Sequence, residues 1–271
     1  MPELPEVETC RRALEPLVLG LEIGIYRSGD RRLREQAEPA AMAELAGRRI
    51  DALERRSKYL IFHCEEEVFL VHLGMTGQLF VSDGSAAWQR HEHWRLGLSR
   101  GVLRYVDPRR FGMLLRCSLA DIQQHPRLVN LGPEPLNGDW SIDAFVQRCS
   151  RSRQPIKHLI MDAKTVVGVG NIYAAEALFA ARLHPSRPAQ SIAPSALARL
   201  HAEIITVLRR ALSSGGSTIR DFRSSDGAPG YFKQELKVYG RAGQACTVCQ
   251  GSLRSMVSGG RSTVFCPTCQ P

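Results

Sequence analysis

Two groups of residues in this 271-residue chain have the types and spacing for chemistry. The first is the opening Met1-Pro2-Glu3-Leu4-Pro5-Glu6-Val7-Glu8. An initiator methionine before a small residue is normally removed, which would leave Pro2 with a free secondary amine. A terminal amine titrates near pH 8, well below lysine at about 10.4, so a usable fraction is neutral and can attack an electrophilic carbon to give an iminium. Glu3 lies beside it, within reach to give or take a proton. Alone, the stretch would ask for no more than Pro5 opening a helix with acidic residues at its positive end; the rest of the chain argues for more. The second group is Cys246-x2-Cys249 and Cys266-x2-Cys269, sixteen residues apart, the spacing of a four-thiolate structural site. Zinc is the first choice, and iron suits the same sulfur geometry. Two disulfides are the poorer alternative, because nothing else points to export. Four protein ligands leave no open position, so the metal would hold a fold and perform no reaction.

The elements that must position these residues follow from periodicity. Apolar residues at helical spacing predict a helix over 4–18, stopped by Gly20. Short β-type runs follow at 21–27, 48–55, 58–64, 68–73, 78–81, 94–99, 102–106 and 112–115, with a short helix at 40–45. An antiparallel sandwich or barrel is the natural reading. Helical patterns then take over at 119–124, 142–148, 156–161, 172–181 and 195–212. A Gly/Ser/Asp/Pro-rich stretch over 224–230 reads as a mobile surface loop. The expected fold class is α+β and multidomain, divided at 1–128, 129–234 and 235–271.

Composition narrows the function. The formal charge of +9 and arginine clusters such as Arg31-Arg32, Arg55-Arg56 and Arg109-Arg110 point to a polyanionic partner, with 44% hydrophobic residues supporting real cores. The acidic amino end has no signal-peptide character, and no apolar run is long enough to cross a bilayer, so no membrane partner and a cytoplasmic or nucleoid-associated location are expected. Cys10, Cys64, Cys117 and Cys149 are scattered singly and read as buried small hydrophobes.

Pro2 to Thr9, the block Asp107-Pro108-Arg109-Arg110-Phe111-Gly112, the run Val169-Gly170-Asn171-Ile172-Tyr173 and the terminal four-cysteine ribbon together resemble the bacterial formamidopyrimidine-DNA glycosylases along essentially the whole chain. The resemblance implies an N-terminal β-sandwich with flanking helices, a helix–two-turn–helix domain and a zinc ribbon. It also implies a bifunctional repair enzyme that excises oxidised purines from double-stranded DNA and then cleaves the abasic strand. Pro2 matches the nucleophile and Glu3 the proton donor. Lys58 matches the lysine assigned to β-elimination, and Arg261 the residue assigned to δ-elimination. Met75, Arg109 and Phe111 match an intercalating trio that fills the gap left by a flipped nucleotide. His72, His91, Arg110, Arg151 and Asn171 match phosphate contacts, and 217–231 corresponds to a lesion-recognition loop. Thr76 stands where family members differ. One zinc ion and a monomer are expected.

Two other readings have discriminating tests. An endonuclease VIII-like relative shares Pro2-Glu3 but prefers oxidised pyrimidines, so thymine glycol against 8-oxoguanine separates them. A non-catalytic zinc-ribbon DNA-binding protein would have no use for a terminal amine beside a carboxylate.

Overall fold

The computed structural model describes residues 2–215 and 236–271. The expected lesion loop at 217–231, and the 224–230 stretch within it, lie outside the described residues. The chain forms two compact units that part between Val129 and Asn130.

The first unit opens with helix α1 (Leu4–Val18), whose Leu4, Val7, Leu14 and Val18 are buried at helical spacing. Two sheets follow. One runs in the order β1 (Ile23–Ser28), β7 (Glu92–Leu98), β8 (Val102–Val106), β6 (Gln78–Ser82), antiparallel throughout. The other runs β2 (Glu35–Gln36), β9 (Met113–Ser118), β5 (Glu67–His72), β4 (Tyr59–Cys64), β3 (Ala52–Arg56), antiparallel except for the parallel β2 and β9. One core serves both sheets and α1: Val7 and Leu14 meet Trp94, Leu103 and Tyr105 of one sheet and Phe62, Phe69 and Val71 of the other. Trp94 stacks on Tyr105, and Phe62 on Phe69 with ring centres 4.4 Å apart. This is the expected β-sandwich. The short helix α2 (Pro39–Ala43) buries Met42 against it.

The second unit is built on α5 (Asn171–Ala180), buried from Ile172 to Phe179 and apolar there except for Glu176. Around it lie α3 (Ile142–Ser150), α4 (Ile156–Met161) and α6 (Pro194–Ser213), whose Leu197, Leu200, Ile204 and Leu208 form one apolar face. The hairpin β10 (Arg254–Ser258) and β11 (Arg261–Phe265) belongs to the same unit. Ala175 and Phe179 of α5 pack with Val238, Leu253 and Val264.

Two expectations change. The helix foreseen over 119–124 is only a single 3-10 turn at Ile122–Gln124, because the Leu119 N–H bonds the Glu66 carbonyl and prolongs the sheet edge. Cys117 is partly exposed, since it lies where β9 leaves the core, whereas Cys10, Cys64 and Cys149 are buried as expected.

Candidate functional site

The amino end of α1 is fixed by its own first turn. Glu3 is the N-cap, its N–H donating to the Glu6 carboxylate at 2.8 Å, and a proline stands within the first two helical positions. The Thr9 hydroxyl donates to the Pro5 carbonyl at 2.8 Å. Pro2 and Glu3 are both buried. They therefore sit on a capped helix end that the core holds, where terminal residues of most chains fray.

Lys58 lies in the two-residue turn that joins β3 to β4, with Ser57 in the left-handed region at φ 57°. The turn is tied to α1 through Arg55, which the sequence presents as part of a basic cluster and the structure pairs with a carboxylate. Arg55 donates to the Glu8 carboxylate at 3.1 Å and to the Ser57 carbonyl at 2.9 Å. Burial pushes the Glu8 carboxyl up, but hydrogen bonds from Arg11 and Arg12 and the charges of Arg11 and Arg55 outweigh it and hold the group below the usual carboxylate range.

His72 ends β5 opposite Tyr59, with ring centres 4.9 Å apart. Its Nδ1 accepts the Gly74 N–H at 3.0 Å, which leaves Nε2 as the donor in a neutral ring. Burial, with the nearby Lys58 and Arg34 charges, pushes its pKa down to about 4. Near pH 7 His72 is thus a neutral ring with a donor at Nε2.

Met75 and Phe111 lie on neighbouring turns, and Asp107 binds the turns together. Its fully buried carboxylate accepts from the Thr76 hydroxyl at 2.5 Å, the Arg109 N–H at 3.2 Å and the Gly112 N–H at 2.8 Å. Gly74, at φ 61°, lies so close that a Cβ there would meet the Gly112 nitrogen at 2.5 Å. The Tyr105 hydroxyl bonds the His72 carbonyl at 3.2 Å beneath both turns. Phe111 is 41% exposed, and the Arg109 guanidinium lies 5.2 Å from its ring centre. The expected trio therefore stands on one rigid base, with Arg109 and Phe111 outward and Met75 half-buried. Asp107→Asn places an amide NH2 against at least one of these donors. It is expected to cost about 1–3 kcal/mol, read as a lower urea midpoint; an unchanged midpoint would mean that the carboxylate does not hold the turns.

In the second unit, Arg151 is exposed at the carboxyl end of α3. Asn171 is the first residue of α5, behind Gly168 at φ 82° and the extended N-cap Gly170. Its Nδ2 donates to the Ser262 carbonyl at 3.0 Å, and its Oδ1 accepts from Lys157 Nζ at 2.6 Å. Lys157 is 1% exposed and also reaches the Thr263 hydroxyl at 2.5 Å. Arg261 opens β11 directly after the turn Gly259-Gly260, where φ values of 56° and 70° suit a two-residue hairpin loop. The Lys157–Asn171–Thr263 cluster thus holds the strand two positions from Arg261, whose side chain is exposed. Among the candidate residues, the structure ties Lys58, His72, Met75, Arg109 and Phe111 together in the first unit and Asn171 with the Arg261 hairpin in the second.

Cys246, Cys249, Cys266 and Cys269 present their sulfurs within 4.8 Å of one another. The pairs Cys246–Cys269 and Cys249–Cys266 lie 3.9 and 3.5 Å apart, far beyond a disulfide bond. A tetrahedron with metal–sulfur bonds of about 2.3 Å has edges of about 3.8 Å. The set fits one structural zinc ion. Glu176 of α5 supports the module from below, its carboxylate accepting the N–H groups of Lys237, Val238 and Tyr239 at 2.8–2.9 Å.

Comparison with known proteins bears on the whole chain. The formamidopyrimidine-DNA glycosylase N-terminal domain matches residues 1–114, the formamidopyrimidine-DNA glycosylase H2TH domain 131–223, and the zinc finger found in FPG and IleRS 243–271. The chain is 47% identical over 272 residues to a formamidopyrimidine-DNA glycosylase of Stutzerimonas stutzeri, covering all of both proteins. It is 43% identical over 273 residues to one of Legionella pneumophila, covering all of this chain and 99% of the relative. Among solved structures, the Lactococcus lactis Fpg in complex with abasic-site DNA superposes with a TM-score of 0.92 at 33% identity over 99% of both chains. The wild-type Lactococcus lactis enzyme with N7-benzyl-Fapy-dG DNA gives the same values.

Proposed function

As the chain belongs to the formamidopyrimidine-DNA glycosylase family, we propose that it excises oxidised purines from duplex DNA and cleaves the resulting abasic strand in base excision repair. The observation that carries this reading is a Pro2-Glu3 pair buried on a capped helix end, in a chain similar to these enzymes over its full length. The Pro2 amine attacks C1′ of the lesion nucleotide, the bond to the base breaks, and an iminium joins protein and opened sugar. Glu3 protonates the ring oxygen as the sugar opens. Lys58 serves the β-elimination that expels the 3′ phosphate, and Arg261 the δ-elimination that expels the 5′ phosphate. Met75, Arg109 and Phe111 occupy the gap left by the extruded nucleotide, with Arg109 reading the orphaned base. His72, His91, Arg110, Arg151 and Asn171 hold phosphates. Zinc, when bound by the four cysteines, supplies only structure.

The division at 1–128, 129–234 and 235–271 assigns these tasks to a catalytic sandwich, a helix–two-turn–helix domain and a zinc ribbon. The enzyme works as a monomer in the cytoplasm, at the nucleoid; no described helix is long and apolar enough to cross a membrane. Borohydride tests the reading. With Met1 removal checked by mass spectrometry, reduction in the presence of a duplex holding 8-oxoguanine opposite cytosine should yield a covalent adduct on the Pro2 peptide, and the unreduced reaction should show strand scission. Binding without adduct or scission would leave a DNA-binding protein and overturn the enzyme.

A further inference from the structure

Beside Arg110, the first unit contains a cavity of about 950 Å³ bordered by Arg27, Arg31, Arg90, Arg110 and Trp88. Four arginines that border it lack a carboxylate partner among the described residues. Arg11, Arg48, Arg55, Arg95, Arg104 and Arg116 are all paired with carboxylates. Arg27, Arg31, Arg90 and Arg110 make no ion pair with the described residues, although Asp30 also borders the space.

The walls are built, not loose. Glu92 takes a fork from buried Arg104 at 2.7 and 2.8 Å and a second from Arg95 at 2.7 and 3.0 Å. The same two arginines hold the carbonyls of Ala87 and Ala86, and the Gln89 N–H donates to Glu92 at 2.8 Å, which sets the 86–89 loop. Trp88 lies over Arg95 at 4.5 Å and stays 42% exposed on the rim. Across the cavity, Gly29 packs so tightly that a Cβ would meet the Glu92 carbonyl at 2.7 Å. The buried His93 ring spans the carbonyls of Arg31 and Asp107 at 2.7 and 2.8 Å, joining this wall to the base of the Arg109–Phe111 turn.

We infer that this cavity is a second backbone grip, in which Arg27, Arg31 and Arg90 take phosphates of the same DNA strand segment that Arg110 and His91 hold. Four guanidinium groups around one space repel one another, and a polyanion that passes through relieves the repulsion while releasing counterions. The flat indole face on the rim suits a deoxyribose. The proposal rests on the glycosylase reading for the identity of the polyanion and for the phosphate contacts of Arg110 and His91.

The test measures binding to a duplex carrying an inert tetrahydrofuran abasic analogue as a function of salt. Each phosphate contact contributes about 0.9 to the slope of log K against log salt. Arg31→Gln/Arg90→Gln should lower the slope by about 1.8, and Arg31→Lys/Arg90→Lys should restore most of it. Arg49→Gln/Arg100→Gln removes two exposed arginines away from the cavity and should leave the slope as it is. An unchanged slope in the first variant, or an equal fall in the Arg49/Arg100 control, overturns the grip. Should the wild type fail to excise 8-oxoguanine while the slope still falls, the glycosylase reading fails and the phosphate site stands.

Discussion

Glu3→Gln is expected to slow release of 8-oxoguanine about 10²–10⁴-fold, the span that a positioned general acid contributes. The change keeps size and shape, and both halves of the capping box survive: the Glu3 N–H still donates to the Glu6 carboxylate, and the amide oxygen still accepts the Glu6 N–H that the Glu3 carboxylate takes. Folding should therefore be unaffected, and the loss will be one of chemistry. Its selectivity is the sharper test. A proton on the ring oxygen is needed to open an intact nucleoside, whereas an abasic site already equilibrates with its open aldehyde, which the Pro2 amine can attack directly. Strand cleavage at a preformed abasic site should fall far less than base release. Single-turnover rates on 8-oxoguanine and on abasic duplexes give the two numbers. Equal losses on both substrates would move Glu3 from proton donor to a role in holding the amine itself.

How much of this arrangement could be read from the sequence depends on how local each interaction is. The alternation of apolar residues locates nearly every strand of the sandwich, and the cysteine spacing locates the metal ligands, because both are patterns within a few residues. The pairings that aim the site are of another kind. Asp107 reaches back to Thr76, Arg55 to Glu8, and Lys157 forward to Thr263. Each joins residues from 31 to 106 positions apart, and nothing in the flanking composition marks a charged residue as buried rather than solvated. Asp107 reads as a turn former and Lys157 as one more cation on a helix. Strand β2 escapes for a related reason: Glu35–Gln36 has no β-type pattern and is a strand only because β9 lies beside it. The left-handed φ of 67° at His91 is likewise set by the chain that returns to it, where the Asp107 N–H meets its carbonyl at 2.9 Å.

The metal module makes the remaining prediction, and a large one. Cys246 and Cys266 are wholly buried, yet the apolar cluster that contains them has few other members, chiefly Val238, Leu253 and Val264 against α5. A segment this short cannot bury enough surface to fold without a staple, while structural zinc contributes on the order of 10–16 kcal/mol of apparent binding energy. Cys266→Ser should therefore abolish binding of one zinc per chain, measured by elemental analysis, and unfold the ribbon. The damage should be uneven. Unfolding takes away Ser262 and Thr263, the partners of Asn171 and Lys157, and leaves Arg261 unplaced. Pro2, Glu3 and Lys58 belong to the first unit, whose described core residues include none of the ribbon. With enzyme in excess at low salt, enough DNA stays bound to show the pattern: the δ-elimination product disappears, while the borohydride adduct on Pro2 still forms. Iron in place of zinc would reveal itself by thiolate-to-metal absorption in the visible. Full δ-elimination by a zinc-free variant would show that the ribbon neither needs the metal nor carries the second elimination.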